Sequence, residues 1–194
     1  MKPGPAGGPT AQGAGVGNGR RPSGQRTDFR MAPEHDGFLA FLQRLAASTA
    51  DTPTVLNVAV RHLAEIMNVH SSKYAELADD GQTLVVRAAA GWEPSIVGER
   101  VPATSASQAG FTLEANEAVI FQDLARTKRF TDAGLLRRHG VVSSLSAVVK
   151  GGVRTFGVLS VHMRAQRGFT GAEARFLTAV GKTLGAELER RAAD

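Results

Sequence analysis

The sequence predicts an α+β domain organised around a mostly antiparallel sheet and preceded by a tail that does not fold. Amphipathic helical stripes stand at both ends of the folded region, and alternating stretches joined by short turns lie between them. The first 27 residues hold eight Gly and four Pro and almost nothing large and apolar. Such a segment cannot bury enough surface to offset its ordering entropy, so residues 1–34 are expected to be a disordered tail and residues 35–194 a single domain.

The first helix is expected in "EHDGFLAFLQRLAAST", where Phe38, Leu39, Phe41, Leu42 and Leu45 make one apolar stripe. The second follows in "DTPTVLNVAVRHLAEIMNV", with Thr52 as N-cap, Pro53 at the first helical position and Leu56, Val60, Leu63 and Met67 on the buried face. The period then changes. "VHSSKYAELADDGQTLVVRAAAGW" reads as two strands around a "DDGQ" turn. A helical segment follows in "TSASQAGFTLEAN", capped at Thr104 or Ser105, and "EAVIFQDL" is a short buried strand. "RFTDAGLLRRHG" predicts a helix opened by Thr131 and closed by Gly140. "SLSAVVKGGVRTFGVLSVHM" is a hairpin turning at "KGGVR". In the last helix Thr170 and Glu173 form a capping box, and Phe176, Leu177, Val180, Leu184 and Leu188 supply the apolar face. The predicted order is α-α-β-β-α-β-α-β-β-α.

Composition narrows the function. The chain has no cysteine, which removes disulfides, thiolate metal sites, cysteine nucleophiles and thioether-linked cofactors. No apolar run approaches the ~20 residues that span a bilayer, and no secretory h-region opens the chain, so a cytoplasmic location is expected. The formal charge of +5 is concentrated in the tail, where Lys2, Arg20, Arg21 and Arg26 meet no acid. The rest carries 19 basic and 18 acidic residues, without the excess that phosphate backbones require, so neither nucleic acid nor membrane is an expected partner. No zinc-protease, nucleophile-elbow or P-loop motif occurs, and "GAGVGNG" follows no strand and opens no helix, so no enzyme is expected.

The hairpin carries the functional signal. Residues two apart in a strand share a face. One face of the second strand is Phe156, Val158, Ser160 and His162; the other, with Leu159, Val161 and Met163, suits packing under the terminal helices. Ser144 and Ser146 join the polar face from the first strand. An unpartnered buried polar group costs roughly 1–3 kcal/mol, so this face implies a wet cavity, a ligand or exposure. Tyr74, Phe111, Phe121, Asp123 and Phe130 are further candidates for the pocket lining, being aromatics with a directed polar group.

Together with "AVIFQDLARTKRF", "LLRRHGVVSSLSAVV", "RTFGVLSVHMRAQRGFT" and "EARFLTAVGKTLGAELER", this order of elements resembles a GAF domain over roughly residues 38–190, most closely those attached to bacterial histidine kinases. The resemblance implies a central antiparallel sheet, terminal helices on one face, a ligand pocket on the other, and a homodimer through the terminal helices. It implies a small-molecule sensor in signal transduction, serving a kinase or other effector in cis or in trans. The initial Met and long head fit a natural N-terminus. Similarity to phytochrome GAF domains adds that Ser144, Ser146 and His162 match positions that hydrogen-bond a chromophore. Covalent bilin attachment is excluded for want of cysteine. Non-covalent haem or tetrapyrrole stays an alternative, with His162, His139 or His70 as axial ligand. The cyclic-nucleotide pattern is incomplete: Lys128 and Phe130 are present, the following Asp-Glu is not, and Arg126, Lys128 and Arg129 are left as a cationic loop. GAF-fold methionine sulfoxide reductases use cysteines that are absent here. A dimerisation module with a collapsed pocket is the competing reading, favoured if Phe121, Phe130 and Phe156 fill the space.

Overall fold

A computed structural model describes residues 32–194. The expected disordered tail therefore lies almost wholly outside the described residues. Its end is occupied by α1 (Pro33–Ala46), which starts two residues inside it and buries Phe38, Leu42 and Ala46. Helix α2 (Thr52–Ile66) follows, and its cap is Asp51 rather than Thr52: the Asp51 carboxylate accepts from the Thr54 N–H at 2.8 Å.

Strands β1 (Ser71–Leu77) and β2 (Thr83–Ala90) form the first expected hairpin. Asp80 fixes its turn by accepting from the Gln82 and Thr83 amides at 2.8 and 3.1 Å. β3 (Arg100–Pro102) was not expected, since three residues ending in proline carry no readable period. Helix α3 (Gln108–Ala115) is capped by Ser107, whose Oγ accepts from the Gly110 N–H at 2.9 Å, so its start falls past Thr104 and Ser105. β4 (Val119–Phe121), a 3-10 turn at Leu124–Arg126 and the short α4 (Gly134–Arg138) lead to β5 (Ser143–Lys150) and β6 (Thr155–Met163). α4 starts later than Thr131, and Gly140 follows it with φ +67°, as a chain reversal there requires. The Thr170–Glu173 capping box opens α5 (Gly171–Ala193) as expected.

The six strands form one antiparallel sheet in the order β3-β2-β1-β6-β5-β4. Helices α1, α2 and α5 cover one face, where Leu63, Leu159, Val161, Phe176, Leu177 and Val180 are fully buried. Each such side chain contributes about 1.5–3 kcal/mol of burial. On the other face Trp92, Ile96, Phe121, Phe130, Leu135 and Val158 make a second core beneath α3, α4 and their loops.

Helix α5 lies close on β5 because Gly181 and Gly185 face the strand. A Cβ at Gly181 would come within 2.5 Å of the Val148 carbonyl oxygen, and one at Gly185 would overlap the Lys150 carbonyl. Polar ties hold the C-terminal end of α5. Arg191 pairs with Glu187 and donates to the Ala50 carbonyl after α1 at 2.7 Å and to the Ala46 carbonyl at the end of α1 at 3.2 Å. Glu189 accepts from the Gly152, Val153 and Arg154 amides at 2.7, 3.0 and 2.9 Å, so one carboxylate clamps the β5–β6 turn to the helix. Those three donors hold its pKa below the ordinary carboxylate value.

Candidate functional site

Register decides what meets under α3. On the face opposite the terminal helices, Ser71 of β1 lies across from His162 of β6, and His162 lies across from Ser144 of β5. One rung along, Lys73 pairs with Ser160 and Ser160 with Ser146. The next rung is apolar: Ala75, Val158 and Val148. The middle of the sheet therefore presents two polar rungs, all six members buried. Ser144, Ser146, Ser160 and His162 thus come together as the alternation predicts. Phe121 flanks them, opposite Ser144 on β4.

Lys73 has no counterpart in the sequence expectations. Its ammonium is fully buried, and its one hydrogen bond is to Ser160 Oγ at 3.2 Å. No acid pairs with it among the described residues. An ammonium taken out of water without a counter-charge is costly, and burial accordingly pushes its pKa down to about 8. His162 is driven well below the ordinary imidazole range, first by burial and then by the charge of Lys73. It is neutral at pH 7, and neither ring nitrogen has a partner. Trp92 covers the ring edge-on at 5.2 Å and anchors its own indole N–H on the Ser72 carbonyl at 2.8 Å.

Helix α3 roofs these rungs. Gln108 donates from Nε2 to Ser146 Oγ at 2.7 Å, and Thr112 Oγ1 meets the same hydroxyl at 2.7 Å. The other end of the Gln108 amide and the Ser71 hydroxyl are buried without partners. Beside them is a cavity of about 20 Å³ lined by Lys73, Ser107, Gln108, Ala109, Ala133 and Leu136 among others. That is room for about one water molecule. Four buried polar atoms are left with nothing to bond: the Ser71 hydroxyl and both His162 ring nitrogens, which share one rung, and the Gln108 carbonyl oxygen in the roof.

Two of the remaining lining candidates belong here and two do not. Phe111 and Phe130 pack with Phe121 as a trio, the Phe121 and Phe130 rings 4.7 Å apart and the Arg129 guanidinium 4.6 Å above Phe111. Tyr74 faces the terminal helices instead, donating to the Phe156 carbonyl at 3.2 Å, because its rung partner is Leu159 on the helix side. Asp123 lies beyond β4, where it caps the 3-10 turn and accepts from Gln166 at 2.9 Å. Phe156 also leaves the predicted face. The register slips between Val149 and Lys150, Phe156 becomes the extra residue of a bulge, and its ring joins the helix-side core. Phe121 and Phe130 therefore crowd the pocket face without it.

The other histidines are apart. His139 touches Trp92 at 5.2 Å, and His70 is held below its ordinary pKa by burial and by Arg164. Among the described residues no group of three or more His, Cys, Asp or Glu could hold a metal ion. The cavity on this face opens beside Lys73 rather than His162, and its volume of about 20 Å³ is far smaller than the several hundred Å³ a tetrapyrrole needs, so this conformation does not fit haem.

This chain belongs to the GAF domain family, whose model matches residues 51–188. It is thus a domain of the small-molecule-binding signalling class. Among solved structures it is similar to the GAF domain of an Acinetobacter phosphoenolpyruvate-protein phosphotransferase, at 21% identity and TM-score 0.71, covering 84% of this chain and 98% of that one. It is also similar to the phycocyanobilin-bound GAF domain of a cyanobacterial phytochrome, at 18% identity and TM-score 0.68, covering 80% and 94%. A third match is the free methionine-R-sulfoxide reductase of Neisseria meningitidis in complex with its substrate, at 18% identity and TM-score 0.67, covering 81% and 91%. At these identities the likeness is one of fold. No curated protein matches the chain. Among the described residues no helix is long and apolar enough to cross a membrane.

Proposed function

We propose that this chain is a non-enzymatic, cytoplasmic sensor of bacterial signal transduction, of the kind that serves a histidine kinase in cis or in trans. The observation that carries the reading is the pair of buried polar rungs under α3, with Lys73, His162, Ser71 and Gln108 short of partners. A purely structural pocket gains nothing from leaving these groups unpaired, whereas a ligand supplies what they lack. The phytochrome relative carries phycocyanobilin and the reductase its substrate, so small-molecule binding is within the reach of this fold. The reductase chemistry does not carry over in this reading, since the chain has no cysteine.

Coupling follows from contacts. A ligand that enters between α3 and the sheet must shift α3 or the segment carrying Ala133 and Leu136. Asn116, at the end of α3, accepts from Lys150 of β5 at 2.9 Å, and Glu189 clamps the next residues of that hairpin to α5. Movement of the roof thus reaches the terminal helices, through which two chains are expected to meet. It transmits a signal only so far as the ligand binds the two arrangements unequally.

The competing reading is a dimerisation module whose pocket is filled by its own side chains. It is favoured by the close Phe121–Phe130 contact and the small cavity. Native mass spectrometry of protein purified from a bacterial host, with an absorption spectrum of the same sample, separates the two. A stoichiometric adduct lost on denaturation supports the sensor. A clean dimer without adduct, unchanged in melting temperature across a metabolite and nucleotide panel, supports the module.

A further inference from the structure

The sensor reading leaves the ligand's chemistry open, and resting on that reading, the unpaired charge in the site narrows it. We infer that the ligand is a small carboxylate whose anionic end sits against the Lys73 ammonium, between the two polar rungs and the first turn of α3.

Lys73 offers three N–H donors and spends one, on Ser160 Oγ at 3.2 Å. The donors around it have the same sense. The Ser71 hydroxyl is buried and unpartnered on the adjacent rung, and a neutral His162 supplies one ring N–H. The cavity is closed on its other side by Ser107, Gln108 and Ala109, the capped first turn of α3. There the positive end of the helix dipole favours an anion, the Gly110 and Phe111 N–H groups being already taken by Ser107. Asp132 lines the same cavity, but it is solvent-exposed and makes no ion pair with Lys73.

The charge count selects a carboxylate over a phosphate. The site holds one buried cation and no arginine, with the exposed Asp132 carboxylate also in the lining, so it suits a single negative charge at most; a phosphate dianion would leave at least one charge buried and uncompensated. The free end of the Gln108 amide and the second nitrogen of His162 are then left for polar groups on the rest of the ligand. The cavity of about 20 Å³ takes the carboxyl end only after α3 lifts, so binding and roof movement are one event.

The test uses acetate and glycolate as probes and acetamide and glycolamide as uncharged matches, read by thermal shift and by calorimetry on the whole chain. The carboxylates are expected to bind saturably in the millimolar range or tighter, with the amides at least about tenfold weaker, as loss of a charge-assisted hydrogen bond implies. Lys73→Met is expected to fold and to weaken carboxylate binding between about 10- and 100-fold, with the preference over the amide lost. Ser71→Ala, a smaller change, is expected to weaken it less. Amides binding as well as carboxylates, or Lys73→Met binding acetate as wild type does, overturns the carboxylate assignment. An uncharged native adduct overturns it too, while leaving the sensor reading intact. If no probe binds and the native protein carries no adduct, both fail.

Discussion

Replacing Lys73 by methionine should stabilise the ligand-free protein. The side chain is fully buried with a single hydrogen bond, and burial lowers its pKa from the ordinary 10.5 to about 8. Below pH 8 the lysine is charged in both folded and unfolded chains, so the fold carries the whole cost of burying it. Between pH 8 and 10.5 only the unfolded chain keeps the proton, so stability rises with pH across that window. Above it both forms are neutral and the cost is gone. At about 1.4 kcal/mol per pH unit, the full cost is about 3 kcal/mol. Methionine keeps most of the apolar stem, so Lys73→Met should gain about 1–3 kcal/mol at pH 7 after imperfect repacking. Urea unfolding of both proteins at pH 7, 8.5 and 10 measures this, and the comparison of two variants cancels every other titration. The advantage should shrink steadily from pH 8 upward. A variant no more stable than wild type at pH 7, or an advantage independent of pH, would refute the view that Lys73 is an uncompensated buried charge.

Three further outcomes follow from the same contacts. His162→Leu removes two unpartnered buried nitrogens and should leave the ligand-free protein as stable or up to about 2 kcal/mol more stable in urea melts. Its emission from the single tryptophan, Trp92, which packs on His162, should also change. Glu189→Ala unclamps the β5–β6 turn; the Gly152, Val153 and Arg154 amides should lose hydrogen-exchange protection while strand amides of β6 keep theirs. Gly185→Ala drives a Cβ into the Lys150 carbonyl and should cost about 1–3 kcal/mol by denaturant unfolding, despite alanine's better helix propensity; a stabilised variant would contradict the close packing of α5.

The hairpin's polar face was legible because β5 and β6 alternate without interruption from Ser144 to Val148 and from Val158 to His162. The capping box of α5 and the buried stripe of α2 were legible for the same reason: each rests on spacing within one element. What spacing cannot supply is which face of β1 meets which face of β6. Alternation in "SSKYAEL" admits two assignments. Tyr74, as a large aromatic, suits a pocket lining, yet Ser71 and Lys73 take that face because they pair with His162 and Ser160. The available signal was parity: Ser71 and Lys73 are polar positions two apart, the pattern that marks Ser144–Ser146 and Ser160–His162. Phe156 was misplaced by a bulge, which one residue of slippage creates without any mark in the hydrophobic pattern. The caps of α2 and α3 shifted because Asp51 and Ser107 stand beside other capable side chains, Thr52, Thr104 and Ser105, and the backbone angles that decide which one caps carry no mark in the sequence.

The most direct test of the sensor account is hydrogen–deuterium exchange of the whole chain with and without the metabolite or carboxylate that raises its melting temperature. The account predicts added protection in the rungs around residues 70–74 and 158–162, altered exchange in α3, and a further change in the C-terminal half of α5, where Glu189 holds the hairpin. Changes confined to the rungs and α3 would mean binding without transmission. Protection elsewhere, with the rungs unaffected, would contradict the site itself.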